Sequence, residues 1–333
     1  MSNGKKSSPP ITDVAKAAGL SLGTVSRVMN GAESVHPDLR NRVLHAAREI
    51  GFIPRTPNRR LGVVVGRRNP FLPVGYTHIM TALIDEFAYD HGMAVEQFDI
   101  SNLDRAWNCE VAAIIGIVFD NALLDLQYLP NLPILTINHP MSEQGIHSLY
   151  TDHFEQGEAA TQHLIDRGHS RIAFLGGLRG EWGVEQRLSG HRATMNACGI
   201  ACDPALVKFS DEEPIYDSLQ RWVREGVTAI LNFSEDVVAE ALHILSNVLQ
   251  LQIGSDVSTI TIEDVPLYQY FSPPQTVLRQ PLRELARQAV EHALRLADTP
   301  DDPDNPTEVL DICLHGELIQ RDSVADLTLS SET

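Results

Sequence analysis

Hydrophobic positions near the N-terminus recur three or four residues apart in three short segments, which is the spacing of amphipathic helices. Taken segment by segment, these apolar positions are Ile11, Val14, Ala15 and Ala18; Val25, Val28 and Met29; and Val43, Leu44 and Ala47. Gly19 separates the first two helices by a tight turn, Ser21 is the N-cap of the second, and Pro37 begins the third. The pattern predicts a helix-turn-helix unit followed by a third helix.

From Leu61 onward the pattern changes to short apolar runs, most of them separated by helical stretches. The runs are LGVVVG, MAVEQFDI, VAAIIGIVF, LPILTIN, RIAFLGG, VTAILNF and VSTITIE. Continuous apolar strands that alternate with helices predict parallel sheets covered on both faces. Seven such units predict two doubly wound lobes, and therefore an α/β body behind an all-α N-terminal domain.

Charge is distributed unevenly along the chain. Its 333 residues carry a formal net charge of -18, which on its own argues against a nucleic-acid-binding protein. Residues 1–60, however, carry ten Lys/Arg and four Asp/Glu, a net charge of +6, whereas the other 273 residues carry 16 and 40, a net charge of -24. A basic head on an acidic body is expected where only the head contacts phosphates.

Several classes of protein are disfavoured by the sequence. No apolar run approaches the roughly 18 residues of a membrane span, and the polar start MSNGKKSSPP is unlike a signal peptide, so we expect a cytoplasmic protein without a membrane partner. The cysteines form no CxxC pair and predict reduced thiols without a metal; they are Cys109, Cys198, Cys202 and Cys313. There is no GxGxxG or Walker pattern and no catalytic constellation, so we expect no cofactor and no enzymatic activity.

The segment SLGTVSRVMN has the side chains that a helix needs in the major groove of DNA. Its small polar residues can bind backbone phosphates; these are Ser21, Thr24, Ser26 and Asn30. Arg27 is the only long donor in the segment, and its two-pronged guanidinium fits a guanine edge. The alternative interpretation is a generic amphipathic helix pair with polar residues facing solvent.

The N-terminal region resembles the DNA-binding domain of the lactose-repressor (LacI/GalR) family of bacterial transcription regulators. The two stretches that carry this resemblance are ITDVAKAAGLSLGTVSRVMNG and RNRVLHAAREIGF. The similarity continues through NPF, GEAATQHLIDRGHSRIAFLGG, RLSGHRATMNACGI, DVSTITIEDVPLYQYFSPPQTVLRQPLRELARQAVE and GELIQRDS. It implies a homodimer that binds a pseudo-palindromic operator in double-stranded DNA. It also implies a bilobed, periplasmic-binding-protein-like body that closes on a small-molecule effector such as a sugar.

The resemblance divides the chain into a head, a body and a tail. The head with a shortened linker covers residues 1–60, the effector-binding and dimerisation body covers residues 61–325, and the tail covers residues 326–333. Within the body, lobe 1 takes in residues 61–149 and 278–306, and lobe 2 takes in residues 150–277 and 307–325.

The resemblance also nominates DNA contacts in the head. By position these are Thr12, Ser21, Leu22, Gly23, Thr24, Ser26, Arg27, Asn30, His36, Arg59 and Arg60. Leu22 and Gly23 fall on the family's specificity positions, where they offer an apolar contact and a close backbone approach. His36 lies where the family usually has a serine that caps the third helix.

The linker departs from the family pattern. Leu61 either is the minor-groove wedge of a hinge helix or begins the first strand, and Pro57 would remove a hydrogen bond from such a helix. We therefore expect an extended linker from which Arg59 and Arg60 reach minor-groove phosphates.

For the effector, the resemblance nominates residues at the carboxyl ends of strands, between the lobes. They are Asn69, Phe71, Asp152, Arg187, Phe233, Ser234, Glu235 and Glu263. Arg187 matches a family arginine that grips ligand hydroxyls or a carboxylate, and Glu263 stands where the family has an aspartate. Ser234 and Glu235 replace an Asn-Asp pair that is frequent in sugar-responsive members. The alternative is that Phe71, Phe233 and Glu263 only pack or cap lobe edges.

Three functional hypotheses follow from these observations. The first is a sequence-specific repressor whose DNA affinity is modulated by a small ligand, a sugar or a related metabolite. The second is a family member without a small-molecule effector, controlled by a protein partner or by its own concentration. The third is a sugar-binding protein with a vestigial DNA-binding head.

Overall fold

The N-terminal residues form three helices around a small apolar core. The computed structural model of the chain describes residues 9–29, 35–52, 60–66, 75–102, 111–117, 124, 132–299 and 308–328, without the side chains of residues 37 and 236. The three helices are α1 (Ile11–Ala18), α2 (Leu22–Met29) and α3 (Pro37–Glu49). Val14, Val25, Val28 and Val43 are fully buried between them. The apolar faces predicted from the sequence are confirmed.

The turn between α1 and α2 has the chemistry expected of a helix-turn-helix unit. Gly19 adopts the left-handed conformation, with φ 63°, which ends α1. Arg42 of α3 donates from Nη2 to the carbonyl of Ala18 at 2.7 Å and so satisfies one of the last carbonyls of α1. The Thr24 N–H donates to Ser21 Oγ at 3.1 Å, which confirms Ser21 as the N-cap of α2.

The rest of the chain alternates between strands and helices. The strands are β1 (Arg60–Val65), β2 (Ala94–Asp99), β3 (Val111–Ile117), β4 (Ile134–Ile137), β5 (His147–Thr151), β6 (Ile172–Gly176), β7 (Val207–Phe209), β8 (Ala229–Phe233), β9 (Ser258–Ile262), β10 (Thr276–Arg279), β11 (Asp311–Leu314) and β12 (Glu317–Ile319). The helices are α4 (Tyr76–Asp90), α5 (His153–Ile165), α6 (Trp182–Ala197), α7 (Ile215–Arg224), α8 (Glu235–His243) and α9 (Leu282–Asp298). α8 continues as a π-helical turn over Ile244–Val248.

The strands form two six-stranded sheets. Sheet 1 has the order β11-β5-β4-β3-β1-β2, and sheet 2 has the order β12-β10-β9-β8-β6-β7. Sheet 2 is parallel from β7 to β10, and β12 joins it antiparallel to β10. In sheet 1 the pairs that join β2, β1, β3, β4 and β5 are parallel. This is the α/β architecture with two doubly wound sheets that the sequence predicts.

The chain divides into two compact units. Unit 1 comprises Met1–Arg68, Met80–Leu149 and Arg283–Asp311, and unit 2 comprises Asn69–Ile79, Tyr150–Leu282 and Ile312–Thr333. The first turn of α4 therefore belongs to unit 2. The lobe boundaries proposed from the resemblance stay a prediction.

All seven apolar runs of the sequence form strands, whereas five further strands carry no clear apolar signal. β7 and β12 have only three residues each, and β11 alternates between exposed and half-buried positions at the edge of sheet 1. Short edge strands bury too little surface to need a continuous apolar run. Their pairing is a property of the assembled sheet.

Candidate functional site

The outer face of α2 is exposed and narrow. Val25, Val28 and Met29 face the core, while Ser21, Gly23 and Arg27 are exposed and Leu22 is 47% exposed. Arg27 donates from Nε to the carbonyl of Gly23 at 3.2 Å, which folds its side chain back towards the start of the helix. Its two Nη groups have no partner among the described residues. A free two-pronged donor therefore lies beside a position without a side chain, where a groove edge can approach closely.

The remaining predicted DNA contacts have different environments. Thr12 is exposed on α1, and Thr24 and Ser26 are half-buried on α2. His36 caps α3, since its Nδ1 accepts from the Asp38 N–H at 3.4 Å. Asn30 and Arg59 lie outside the described residues.

The structure decides between the two alternatives for Leu61. Leu61 is fully buried in β1, so it begins the first strand and is not exposed as a minor-groove wedge. Arg60 is the first residue of β1 and forms an ion pair with Glu96 of the neighbouring strand at 2.9 Å. The Arg60 side chain is still 53% exposed, so its contact with phosphate stays a prediction.

A buried polar cluster in unit 2 is built around Arg187. This residue lies in the second turn of α6 and is only 6% exposed. Its Nε donates to Gln156 Oε1 at 3.2 Å, and its Nη2 lies 3.0 Å from His153 Nδ1. His153 Nδ1 also lies 3.0 Å from Gln156 Oε1, so the guanidinium, the imidazole and the amide form one hydrogen-bonded group. Burial, and after it the charge of Arg187, holds the pKa of His153 well below its ordinary 6.5, so the ring is neutral.

Close contact between two helices positions Arg187. α5 and α6 cross at glycines: a Cβ on Gly157 would lie 2.1 Å from the Arg187 carbonyl oxygen, and a Cβ on Gly190 would lie 2.1 Å from the Phe154 carbonyl oxygen. Only glycine permits this approach. The crossing brings the first turn of α5, which carries His153 and Gln156, within reach of the guanidinium.

Glu263 follows β9 directly and is the second ionisable group of the cluster. It is 4% exposed, has φ 64°, and one of its carboxyl oxygens, Oε1, has no hydrogen-bond partner. Burial raises the pKa of Glu263 to about 8, against the opposing effects of a hydrogen bond from Gln280 and the charge of Arg187. Near neutral pH, Glu263 is therefore mostly a neutral carboxylic acid.

The last residue of β8 and the two residues after it have different roles. Phe233 is fully buried and packs edge-to-face on Phe174, with ring centroids 5.2 Å apart. Its ring is not available to a ligand, which corrects its nomination as a contact. Ser234 is the N-cap residue of α8 and makes no side-chain cap bond. Both carboxylate oxygens of Glu235 accept from the Tyr76 N–H, each at 2.6 Å, so Glu235 caps α4.

Asp152 is the N-cap of α5, because its Oδ1 accepts from the Glu155 N–H at 2.8 Å. His315 Nδ1 lies 2.5 Å from Glu155 Oε2, and Asp152, Glu155 and His315 place one ligand atom each within 4.8 Å of one another. The hydrogen bond that His315 donates to Glu155 raises the pKa of His315. An ion pair and a helix cap account for this exposed group. Asn69 and Phe71 lie outside the described residues.

The sequence did not single out His153 and Gln156, which hold the guanidinium of Arg187. The available signal was their position: both lie in the first turn of a helix that follows a strand, beside the predicted contact Asp152. Their i, i+3 spacing puts them on one face of α5, towards α6.

Two family models match the chain. The model for "Bacterial regulatory proteins, lacI family" matches residues 10–55, and the model for "Periplasmic binding protein-like domain" matches residues 161–324. The chain therefore has the two domains of LacI/GalR-family transcription regulators.

Relatives in the LacI/GalR family match along most of their length. The HTH-type transcriptional repressor PurR of Photobacterium profundum is 28% identical over 342 residues, which cover 95% of this chain and 99% of the relative. The regulator GalR of Escherichia coli is 27% identical over 346 residues, with 96% and 97% covered. The solved CelR-cellobiose complex is 25% identical, covers 95% of this chain and 99% of its own, and has a TM-score of 0.67.

These two domains and the regulators among the relatives show a transcription regulator with a DNA-binding helix-turn-helix head and an effector-binding body. A lac repressor dimer bound to operator shares its fold, with a TM-score of 0.65 at 22% identity. No helix in the described part of the chain is long and apolar enough to cross a membrane.

Proposed function

We propose that this chain is an operator-specific repressor that acts as a homodimer in the cytoplasm, by binding and without catalysis. Its small-molecule effector binds at the Arg187 cluster and changes its affinity for DNA. Coupling of this kind amounts to roughly 1 to 3 kcal/mol between the two sites. The observation that carries the proposal is the exposed face of α2, where the Nη groups of Arg27 lie beside Gly23.

Two relatives support the proposal by analogy. One is solved in complex with cellobiose, and another is a dimer bound to operator DNA. The distribution of charge agrees, since the head carries a net charge of +6 and the remainder -24. The DNA contacts predicted from the sequence are part of this proposal. Among them, Arg27, Gly23 and Leu22 are expected to contact the bases.

A gel shift tests the proposal directly. The full chain is titrated with a duplex from upstream of its own gene and with a scrambled duplex, at several salt concentrations. We expect tighter binding to the upstream duplex and an affinity that falls steeply with salt, because phosphate contacts release counterions. A vestigial head would show no preference between the two duplexes.

Arg27→Ala is expected to remove about 1 to 3 kcal/mol of preference at one base pair of the operator. The reason is that Arg27 alone on α2 offers a paired donor to a base edge. The measurement is the affinity of the wild type and the variant for the operator and for single-base substitutions of it.

The matched control for Arg27→Ala is Lys16→Ala. Lys16 is an exposed cation on α1 that makes only a 3.7 Å surface pair with Asp13, so its loss should change the affinity for all duplexes by a similar small factor. A uniform loss in Arg27→Ala as well would mean that Arg27 contacts phosphate and not a base.

The rival without a small-molecule effector makes a different prediction. A buried cluster that serves only the fold binds no metabolite, so no member of a sugar and nucleoside panel would change the melting temperature. An effector that binds the folded state raises it.

A further inference from the structure

The charge of Arg187 has no counter-ion within its cluster. Its two hydrogen-bond partners, the Gln156 amide and the His153 imidazole, are both neutral. No carboxylate in the described part of the chain forms an ion pair with it. Burial lowers the pKa of Arg187 to about 10, although Glu263, Glu181 and Glu235 attract its charge from longer range. A guanidinium that is 6% exposed normally has a carboxylate or an equivalent anion beside it.

Neither Glu235 nor Glu263 supplies that anion. Both oxygens of Glu235 are bonded to the start of α4. Glu263 is close enough to interact with Arg187 electrostatically, but its carboxyl is mostly protonated near neutral pH. It is also held in the left-handed region at φ 64°, a strained conformation for a residue other than glycine. Such strain is typical of residues that the fold aims at a ligand.

Two groups of the cluster are left without a hydrogen bond to a described residue. They are the Nη1 group of Arg187, whose bonds are made by Nε and Nη2, and the buried Oε1 of Glu263. As a neutral acid, Glu263 can donate one hydrogen bond. The acceptors beside Arg187, Gln156 Oε1 and His153 Nδ1, are already used. A carboxylate or phosphate accepts from both Arg187 and Glu263 and, unlike a neutral sugar hydroxyl, also supplies the negative charge that the buried guanidinium lacks.

We propose that the effector carries an anionic group, a carboxylate or a phosphate, which Arg187 binds as its counter-ion while Glu263 donates to it. This inference rests on the proposed function, because it concerns the ligand of the same site. It identifies the effector class as a sugar acid, a sugar phosphate or another small organic anion, and not a neutral sugar.

The test is a thermal melt of the full chain in buffers of equal ionic strength. The probes are sodium phosphate, sodium gluconate, and glucose in sodium chloride, each compared with sodium chloride alone. The phosphate and gluconate arms separate the two kinds of anion. We expect at least one of them to raise the melting temperature of the wild type by roughly 3 °C or more at a tenfold excess over its dissociation constant. Glucose should leave it unchanged.

Phosphate also stabilises proteins because it is excluded from their surface, and it can bind the basic head. Variants are therefore needed to assign the rise in melting temperature to Arg187. Arg187→Gln should lose the shift, and Arg187→Lys, which retains the charge without the fork, should retain part of it. Arg171→Gln is the matched control, because Arg171 pairs with Glu225 away from the cluster and the shift should be of wild-type size. If Arg187→Gln is unfolded, the comparison uses Arg187→Lys instead. A smaller rise in melting temperature in Arg187→Lys than in Arg171→Gln would also assign the anion to Arg187.

Three results would overturn the inference: a shift with glucose as large as with gluconate, no shift with either anion in the wild type, or equal shifts in all the variants. A gel shift on the same preparations tests the DNA-binding role independently of the effector class. A protein that prefers its operator but ignores both anions overturns only the effector class. A protein with an Arg187-dependent shift and no operator preference overturns only the DNA-binding role.

Discussion

Gly157→Ala is expected to lower the free energy of unfolding of the body by roughly 3 kcal/mol. The added methyl group would lie 2.1 Å from the Arg187 carbonyl oxygen, well inside van der Waals contact. The clashing atom belongs to the backbone of α6, so no side-chain rotation relieves it, and the two helices must move apart. Gly190→Ala should have a similar effect, because its methyl group would meet the Phe154 carbonyl in α5 at the same distance.

The measurement is urea unfolding of the full chain, followed by a probe of unit 2 such as the fluorescence of the buried Trp222. Ala159→Ser is the matched control, since residue 159 is exposed on α5, and it should unfold at the wild-type midpoint. A wild-type midpoint for Gly157→Ala would show that the helices do not cross as closely as described. Separation of the helices also displaces Arg187, so the variant should lose the anion response at urea concentrations where it is still folded.

Glu263→Gln is expected to stabilise the protein increasingly as the pH rises from 4.5 towards 8. Burial raises the pKa of Glu263 to about 8, whereas in the unfolded chain it titrates near its ordinary 4.5. Between these values the folded state retains a proton that the unfolded state has released, so the stability of the wild type falls with rising pH. Gln has the same shape without the titration. The difference should be small near pH 4.5 and reach up to about 5 kcal/mol above pH 8, since each pH unit between the two pKa values contributes about 1.36 kcal/mol.

The neighbouring Asp264 provides a control of opposite sign. Burial acts to raise the pKa of Asp264, but hydrogen bonds from Arg279 and Arg321 outweigh it and lower the pKa below its ordinary 3.8. Its ionised form therefore adds stability that is present above pH 3.8 and is lost as the pH falls through the folded pKa. Asp264→Asn should destabilise the protein at neutral pH. Both predictions are checked by measuring the melting temperatures of the wild type and the two variants from pH 4.5 to 8.5. If the melting temperatures of the wild type and Glu263→Gln change in parallel with pH, the pKa of Glu263 is not raised.

The helices of the head and the seven apolar strands were predictable from the sequence because each has a local cause. Gly19 can end a helix in the left-handed conformation, Ser21 can cap the next one, and apolar runs bury wherever a sheet is covered on both faces. Arg27 was predictable for the same reason, since α2 is short and its inward positions are taken by Val25 and Val28. What these residues do to DNA remains a proposal.

The effector site was predictable only in part. By position, the resemblance nominated Arg187 and Glu263, but it also nominated Phe233, which the structure buries in the core of sheet 2. His153 and Gln156 were missed because their role depends on a contact with another helix. Glu235 was expected to face a ligand, and instead it caps α4, which lies 159 residues away in sequence.

By itself, the sequence determined the helix-turn-helix head, the alternation of strands and helices, and the separation of a basic head from an acidic body, because periodicity, caps and charge act over a few residues. Only the tertiary structure decided that Arg187 is buried between neutral partners and that Glu263 is held at φ 64° with one oxygen unpaired. Burial removes water from groups brought together from distant segments, so the protonation and the free hydrogen bonds of this cluster exist only once α5, α6 and β9 have packed.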